Sequence, residues 1–365
     1  MTPRLPLILA ALSILVFPAR GLEMKHGIVY HKEGRFAGWP ANGAIWNWEN
    51  EILILHTEAT YHSYPEQHSY DRSKPSYSFF ARSRDGGKTW ANGPTEVFSR
   101  SEVALLDEPM DFANPDFAFR SRNDRFWYSE DRGRDWKGPF ALPDFGLENP
   151  LTSRTDYLID DEDTLLVFLS AKEPSVQAGL QDRAFSARTN NGGLSWQFQG
   201  WMTGYPYGVR SVMPSTVRLE DHRLLSAVRR RVDAHEDEDL GRLDMNFIEA
   251  EYSEDNGRSW SKQSTVAFTD TSHHNGNPPA LVRLRDGRVA VMYGFRGPPF
   301  GIRAKVSSDE GKTWGHEIIL RDDGLTYDLG YPKAILLPDG RIFVCYYIAT
   351  PERSNQHIAY TIWTP

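Results

Sequence analysis

An eight-residue turn recurs five times in this chain and constrains its fold more than any other feature. Its fullest form is Ser307-Ser308-Asp309-Glu310-Gly311-Lys312-Thr313-Trp314, and Ser83-Arg84-Asp85-Gly86-Gly87-Lys88-Thr89-Trp90 nearly repeats it. Ser253-Glu254-Asp255-Asn256-Gly257-Arg258-Ser259-Trp260 keeps the pattern. Ser129 to Trp136 and Thr189 to Trp196 are looser copies. The Asp or Asn can accept bonds from nearby backbone N–H groups, the Gly supplies a positive φ, and the Trp packs beneath the turn. The copies use five of the eleven tryptophans. A unit repeated in this way implies a propeller, solenoid or array.

A second repeat runs out of phase with the first. Short apolar segments are expected to begin just after a proline, at Trp39-Pro40, Asn114-Pro115, Asn149-Pro150, Met213-Pro214, Pro278-Pro279 and Tyr331-Pro332. Proline suits the first residue of a strand, where its missing donor costs little. Asp286-Gly287 and Asp339-Gly340 then join apolar runs as hairpin turns. A third strand leads into the eight-residue turn and a fourth leaves it after the Trp. Abundant aromatics, 29 Gly and 23 Pro suit such a turn-rich chain. The sequence therefore predicts an all-β fold, a six-bladed β-propeller of four-stranded antiparallel blades. The units span about 36–104, 105–145, 146–205, 206–270, 271–322 and 323 to the end. The last unit lacks the turn and an outer strand. Gly27-Ile28-Val29-Tyr30-His31 is a strand candidate with no other home, so it is expected to complete the last blade and close the ring. No low-complexity linker divides residues 22–365, which read as one domain.

Residues 1–21 read as a secretory signal. Arg4 gives a positive start, Leu5 to Phe17 an apolar run, and Ala19-Arg20-Gly21 small residues for cleavage. The run is short for a transmembrane helix, so a periplasmic or extracellular protein without a membrane span is expected after processing. Cys345 is the single cysteine, which excludes an internal disulfide, and its apolar surroundings predict a buried, inert thiol. The net charge of −8 argues against a general nucleic-acid partner. A local arginine cluster could still face an anionic ligand.

With these turns and this strand plan, the chain resembles the sialidase (neuraminidase) superfamily, whose six-bladed propellers carry such Asp-box turns. The resemblance covers nearly all residues after the signal. It implies that the boxes lie on the rim away from the active site and have a structural task. Function then belongs to the opposite face, where inner strands begin and the loops between second and third strands converge. The resemblance also implies an arginine triad for the substrate carboxylate, a tyrosine nucleophile with a glutamate partner, and an aspartate acid/base.

Tyr331-Pro332-Lys333-Ala334-Ile335-Leu336-Leu337-Pro338-Asp339-Gly340 resembles the family's nucleophile strand and makes Tyr331 the candidate nucleophile. Arg229 corresponds to a triad position, and Arg303 is the candidate for another. Gly38 stands where the family's first strand carries its first triad arginine, with Arg35 three residues upstream. No acid lies near Met213, where the glutamate is expected. Glu58 and Asp71 are the candidate acid/base groups. Arg210, Asn42, His273 and Arg296, with His62, His68, Tyr70, Tyr327 and Asp328, supply the polar and aromatic groups a sugar site needs. His273-His274 lacks a metal-ligand spacing, and neither metal nor cofactor is expected. The expected partner is a glycan.

Three functions fit. The first is a secreted sialidase-like glycoside hydrolase that releases an acidic sugar, with sialic acid the first candidate. The second is a propeller polysaccharide lyase, or a divergent glycosidase, acting on uronate-containing glycans. The third is a glycan-binding propeller without catalysis.

Overall fold

The structure, a computed structural model, describes residues 23–64, 67–99, 101–172, 182–204, 209–237, 241–270 and 276–365. Residues 1–21, read from the sequence as a signal, and His273 lie outside the described residues. Among the described residues no helix is long and apolar enough to cross a membrane.

The elements are strands, joined into six blades. After β1 (Met24–Tyr30), blade one holds β2 (Arg35–Gly38), β3 (Ala44–Trp48), β4 (Glu51–Thr60), β5 (Tyr77–Ser83) and β6 (Ala91–Thr95). Blade two holds β7 (Ala118–Arg122), β8 (Arg125–Ser129) and β9 (Lys137–Ala141). Blade three holds β10 (Tyr157–Ile159), β11 (Leu165–Lys172), β12 (Asp182–Thr189) and β13 (Gln197–Trp201). Blade four holds β14 (Val209–Arg218), β15 (Leu224–Asp237), β16 (Gly241–Ser253) and β17 (Ser261–Phe268). Blade five holds β18 (Pro279–Arg283), β19 (Val289–Phe295), β20 (Gly301–Ser307) and β21 (Ile318–Arg321). Blade six holds β22 (Gly330–Leu336), β23 (Ile342–Thr350) and β24 (Arg353–Trp363). β1 pairs antiparallel with β24, from Met24 opposite Trp363 to Tyr30 opposite Ile358. The N-terminal strand thus closes the ring and covers the edge that β24 would expose.

The core lies between blades. On β4, Ile52 and Ile54 pack with Phe343 and Cys345 of blade six, while Leu53 and Leu55 pack with Ala118 and Trp127 of blade two. Both faces of the strand are buried, so it reads as a continuous apolar run rather than an alternation. Cys345 is fully buried, and burial pushes its thiol up to about 12.

The Asp-boxes share a frame of bonds, and in the second, where Asp135 replaces the Thr or Ser, only backbone N–H groups and Ser129 donate to the Asp. Ser307 Oγ donates to Asp309 Oδ1 (2.7 Å) and accepts from Gly311 N (2.9 Å). Asp309 accepts from Thr313 N (2.9 Å) and Thr313 Oγ (2.6 Å). In the third box Asn191 replaces the Asp, accepting from Ser195 N (3.0 Å) and donating to Ser195 Oγ (2.9 Å). The boxes do more than close hairpins, because each Trp reaches the preceding blade. Trp90 packs on Phe343, Trp136 on Trp46 and Trp196 on Phe119. Trp260 and Trp314 donate to Ser186 Oγ (3.1 Å) and Ser264 Oγ (2.9 Å).

Two details differ from the sequence reading. Blade two has three paired strands among the described residues, without an inner one. Three prolines expected to start strands lie within them or between two halves of one. Pro40 opens a 3-10 turn between β2 and β3, which both pair with β4. Pro214 and Pro332 sit at bulges in β14 and β22. A residue without an N–H interrupts the ladder, and the chain resumes after a bulge. The residue before each proline has left-handed backbone: φ is 59° at Trp39, 57° at Met213 and 48° at Tyr331.

Candidate active site

Tyr331 sits at the bulge of β22, at the open end of the inner strands. Its backbone N donates to Asn277 Oδ1 (2.8 Å), and Asn277 is fully buried. Two glycines make room for that amide. A Cβ on Gly330 would lie 2.0 Å from Asn277 Oδ1, and one on Gly294 would lie 2.8 Å from it. Left-handed backbone in a bulky residue costs about 1–3 kcal/mol and persists only when its neighbours enforce it. Asn277 supplies that restraint.

The Tyr331 hydroxyl accepts from Arg229 Nη1 (3.3 Å). The guanidinium carbons of Arg229 and Arg296 lie 5.9 and 5.6 Å from the ring centre. Burial alone would raise the hydroxyl's pKa, but the charges of Arg229, Arg296 and Arg210 outweigh it and hold the group below the ordinary tyrosine value.

Four arginines gather around this phenol. Arg210 is bound to Asp182 (2.7 Å). Arg154, from the segment before β10, donates to Asn42 Oδ1 (3.1 Å) and to the carbonyls of Thr152 and Ser153. Arg296 donates to the Tyr347 hydroxyl (3.1 Å) and the Leu329 carbonyl (3.1 Å). Burial lowers Arg229 and Arg154 to about 10, which leaves both cationic at neutral pH. A protein of net charge −8 thus presents a concentrated positive site. Guanidinium groups bind planar oxyanions such as carboxylates through paired, charge-assisted bonds.

A second set stands beside Tyr331. Asp328 Oδ1 takes the Tyr347 hydroxyl (2.6 Å) and His68 Nδ1 (2.6 Å), and Oδ2 accepts from Ser69 N (2.8 Å). Burial alone would raise the Asp328 carboxyl, but His68, Tyr347 and Arg296 outweigh it and hold it below the usual range. The His68 ring meets Trp39 edge-on at 5.0 Å and Tyr331 at 6.2 Å. Trp39 also packs on Tyr70 (5.3 Å) and Phe36 (4.8 Å), which gives the site an aromatic wall.

Of the residues singled out from the sequence, Tyr331, Arg229, Arg296 and Arg210 come together, and Asn42 joins them through Arg154. Four others are placed elsewhere. Arg303 is taken up by the carbonyls of Pro299 (2.7 Å) and Arg321 (2.5 Å) and by Glu317 (3.4 Å) within blade five. Glu58 is bound to Arg35 (2.6 Å) and to the Tyr30 hydroxyl, at the seam between blade one and β1. Arg35 therefore serves Glu58 and Thr60 rather than standing in for an arginine at Gly38. Asp71 closes a local turn by accepting from Ser73 N (3.0 Å) and Ser73 Oγ (2.6 Å). At Gly38, a Cβ would lie 2.5 Å from the Phe36 ring, so the aromatic wall occupies the space of a larger side chain.

Arg154, Asp182 and Tyr347 escaped the sequence reading. Tyr347 ends the apolar run Ile342 to Tyr347, which reads as core. The signal for Arg154 was its place in the connection into an inner strand, where the open face is built.

Residues 119–344 match the family described as BNR repeat-like domain. No curated protein sequence matches the chain. Among solved structures, a protein of unknown function from Dyadobacter fermentans DSM 18053 has a TM-score of 0.69 at 21% identity, over 94% of this chain and 99% of that one. The GH93 α-L-arabinofuranosidase of Fusarium graminearum, solved with arabinobiose, has a TM-score of 0.56 at 12% identity, over 90% and 96%. A mutant Trypanosoma rangeli sialidase displaying trans-sialidase activity has a TM-score of 0.56 at 10% identity, over 93% of this chain and 58% of that one. Likeness at these identities is likeness of fold.

Proposed function

The chain belongs to the BNR repeat-like family, and on that footing we propose that it is a glycoside hydrolase acting on an acidic sugar, with sialic acid the first candidate. The observation that supports this most is the setting of Tyr331, a nearly buried phenol bonded to Arg229 with Arg210 and Arg296 nearby. A carboxylate nucleophile would repel the carboxylate of an acidic sugar, whereas a tyrosine can meet it as a neutral phenol, or as a phenolate whose charge the neighbouring arginines offset. The arginines give such a substrate its counter-charge and favour the phenolate. They thereby offset the missing carboxylate near Met213, which would have taken the tyrosine proton. Structural neighbours named as a sialidase and an arabinofuranosidase place glycan cleavage on this fold, in keeping with the reading. Export directed by residues 1–21 would bring the enzyme to glycans outside the cytoplasm, and N-terminal sequencing of the exported protein tests it.

One observation favours a second reading. The Tyr331 hydroxyl has an arginine, not a carboxylate, as its bonded partner. A phenolate base beside an arginine-bound carboxylate is what proton abstraction in a uronate lyase requires. Products separate the two. A reducing sugar released from a sialoside, and lost in Tyr331→Phe, supports hydrolysis. A UV-absorbing unsaturated uronate moves the assignment to the lyase. Binding of these glycans without turnover leaves a glycan-binding propeller.

A further inference from the structure

The hydrolase reading leaves one role without a group, because Asp71 and Glu58 are engaged away from Tyr331. We infer that His68 is the general acid/base of this site and that Asp328 is its positioning residue. The proposal rests on the hydrolase reading for its reaction and on separate geometry for its residues.

His68 comes from the loop between β4 and β5, the second-to-third-strand loop of blade one. Its Nδ1 meets Asp328 Oδ1 at 2.6 Å and the Tyr347 hydroxyl at 3.4 Å. Both protein partners use Nδ1, so Nε2 is the nitrogen available to a ligand. The His68 side chain is 31% exposed while Asp328 is 1% exposed. One end of the pair is therefore sealed and the other faces the site. Asp328 is held by three donors: the Tyr347 hydroxyl, His68 and Ser69 N. Arg296 braces Tyr347 in turn. A histidine oriented by a buried carboxylate at one nitrogen and open at the other is the arrangement by which imidazole exchanges protons with a substrate. The His68 and Tyr331 rings stand edge to face with their centres 6.2 Å apart, so the imidazole and the phenol are neighbours in one site.

The steps balance. Tyr331, as phenolate, forms a bond to the anomeric carbon while the bond from that carbon to the leaving oxygen breaks. His68 Nε2–H gives its proton to that oxygen. Water then attacks the same carbon, His68 Nε2 takes one of its protons, and Tyr331 leaves as phenolate. The net change is one glycosidic bond and one water for two hydroxyl groups.

The test compares alkyl and 4-nitrophenyl α-sialosides as substrates for the full-length protein, His68→Gln and Asp328→Asn. Nitrophenolate leaves without protonation and an alkoxide does not. His68→Gln is expected to lose about 10²–10⁴-fold in kcat/KM on the alkyl glycoside and far less on the nitrophenyl one. Asp328→Asn is expected to show the same aglycon dependence in weaker form, which a merely structural loss would not produce. Equal losses on both substrates, or none, overturn the proposal while the hydrolase reading stands. Side-chain ¹⁵N spectra of the wild-type protein give a measure free of turnover, because free sialic acid or glucuronate is expected to move the His68 Nε2 resonance. A sugar that moves the Arg229 side-chain ¹⁵N resonances but not those of His68 overturns the proposal alone. No turnover and no perturbation by either sugar overturns it together with the acidic-sugar reading.

Discussion

The rim and the open face of this propeller are built on opposite plans. On the rim, one local motif is used five times, and the Ser and Asp bonds that close each turn span at most four residues, as from Asp309 to Thr313. On the open face no side-chain motif repeats. Tyr331 is held by Asn277, 54 residues away, and Asp328 is bound by His68, 260 residues away. Equivalent inner-strand positions carry Trp39, Met213 and Tyr331, which share a left-handed backbone but no chemistry. The difference teaches that the ring is stabilised by repetition and made specific by breaking it. The rim's bonds also reach blade to blade through the Trp, so they stabilise the scaffold without touching the site.

If the two regions are this separate, substitutions should divide cleanly between activity and stability. The largest effect is expected at Tyr331→Phe, with turnover down about 10³-fold or more and the melting midpoint unchanged. Steady-state kinetics beside a thermal melt check it, and a large fall in the midpoint would break the division. Arg229→Met should cost about 10–100-fold in kcat/KM, the worth of a charge-assisted bond. It also removes a charge that lowers the Tyr331 pKa, so the limb of the pH–rate profile that reports the phenolate should move to higher pH. A profile that loses rate but does not move would leave Arg229 a binding group only.

On the rim the signs reverse. Gly311 has a φ of 80°, and a Cβ there would lie 2.9 Å from Leu225 of blade four. Gly311→Ala should destabilise by about 1–3 kcal/mol in urea unfolding and leave kcat unchanged. Asp309→Ala should cost about 1 kcal/mol, and Asp309→Asn less, because Asn191 already serves in the third box. The bonds from Thr313 and Ser307 hold the Asp309 carboxyl at about 2 when folded, below its ordinary value of 3.8. Its contribution is therefore full above the ordinary value and is lost as pH falls through about 2. The gap between wild type and Asp309→Asn should shrink between pH 7 and pH 3, and urea midpoints at both values measure it.

The same contrast explains how far the sequence could be read. The boxes, the Asp-Gly hairpins and the homeless strand at Gly27 to His31 specify the propeller and its closure through short-range turn chemistry and strand counting. Even there, the prolines at 40, 214 and 332 misled, because a strand start, the first turn of a 3-10 helix and a bulge all tolerate a missing N–H. In the candidate site, Tyr331 and Arg229 were singled out through the family resemblance, and they lie within hydrogen-bond distance of each other. Arg303 had a comparable place but is engaged by carbonyls within its own blade.

By itself, then, the sequence determined the architecture, the number of blades and the face on which to look, because those follow from repeated local patterns. Only the tertiary structure decided which charged groups share a site. Glu58 and Asp328 are both buried carboxylates, and nothing in their flanking residues separates them. Pairing of β2 with β4 inside blade one puts Glu58 against Arg35, and Asp328 and Tyr347 share blade six, while ring closure adds Tyr30 to Glu58 and His68 to Asp328. The role of a buried charge is set by the partner that satisfies it, and here one partner of each carboxylate, Tyr30 or His68, reaches it only when the ring is complete.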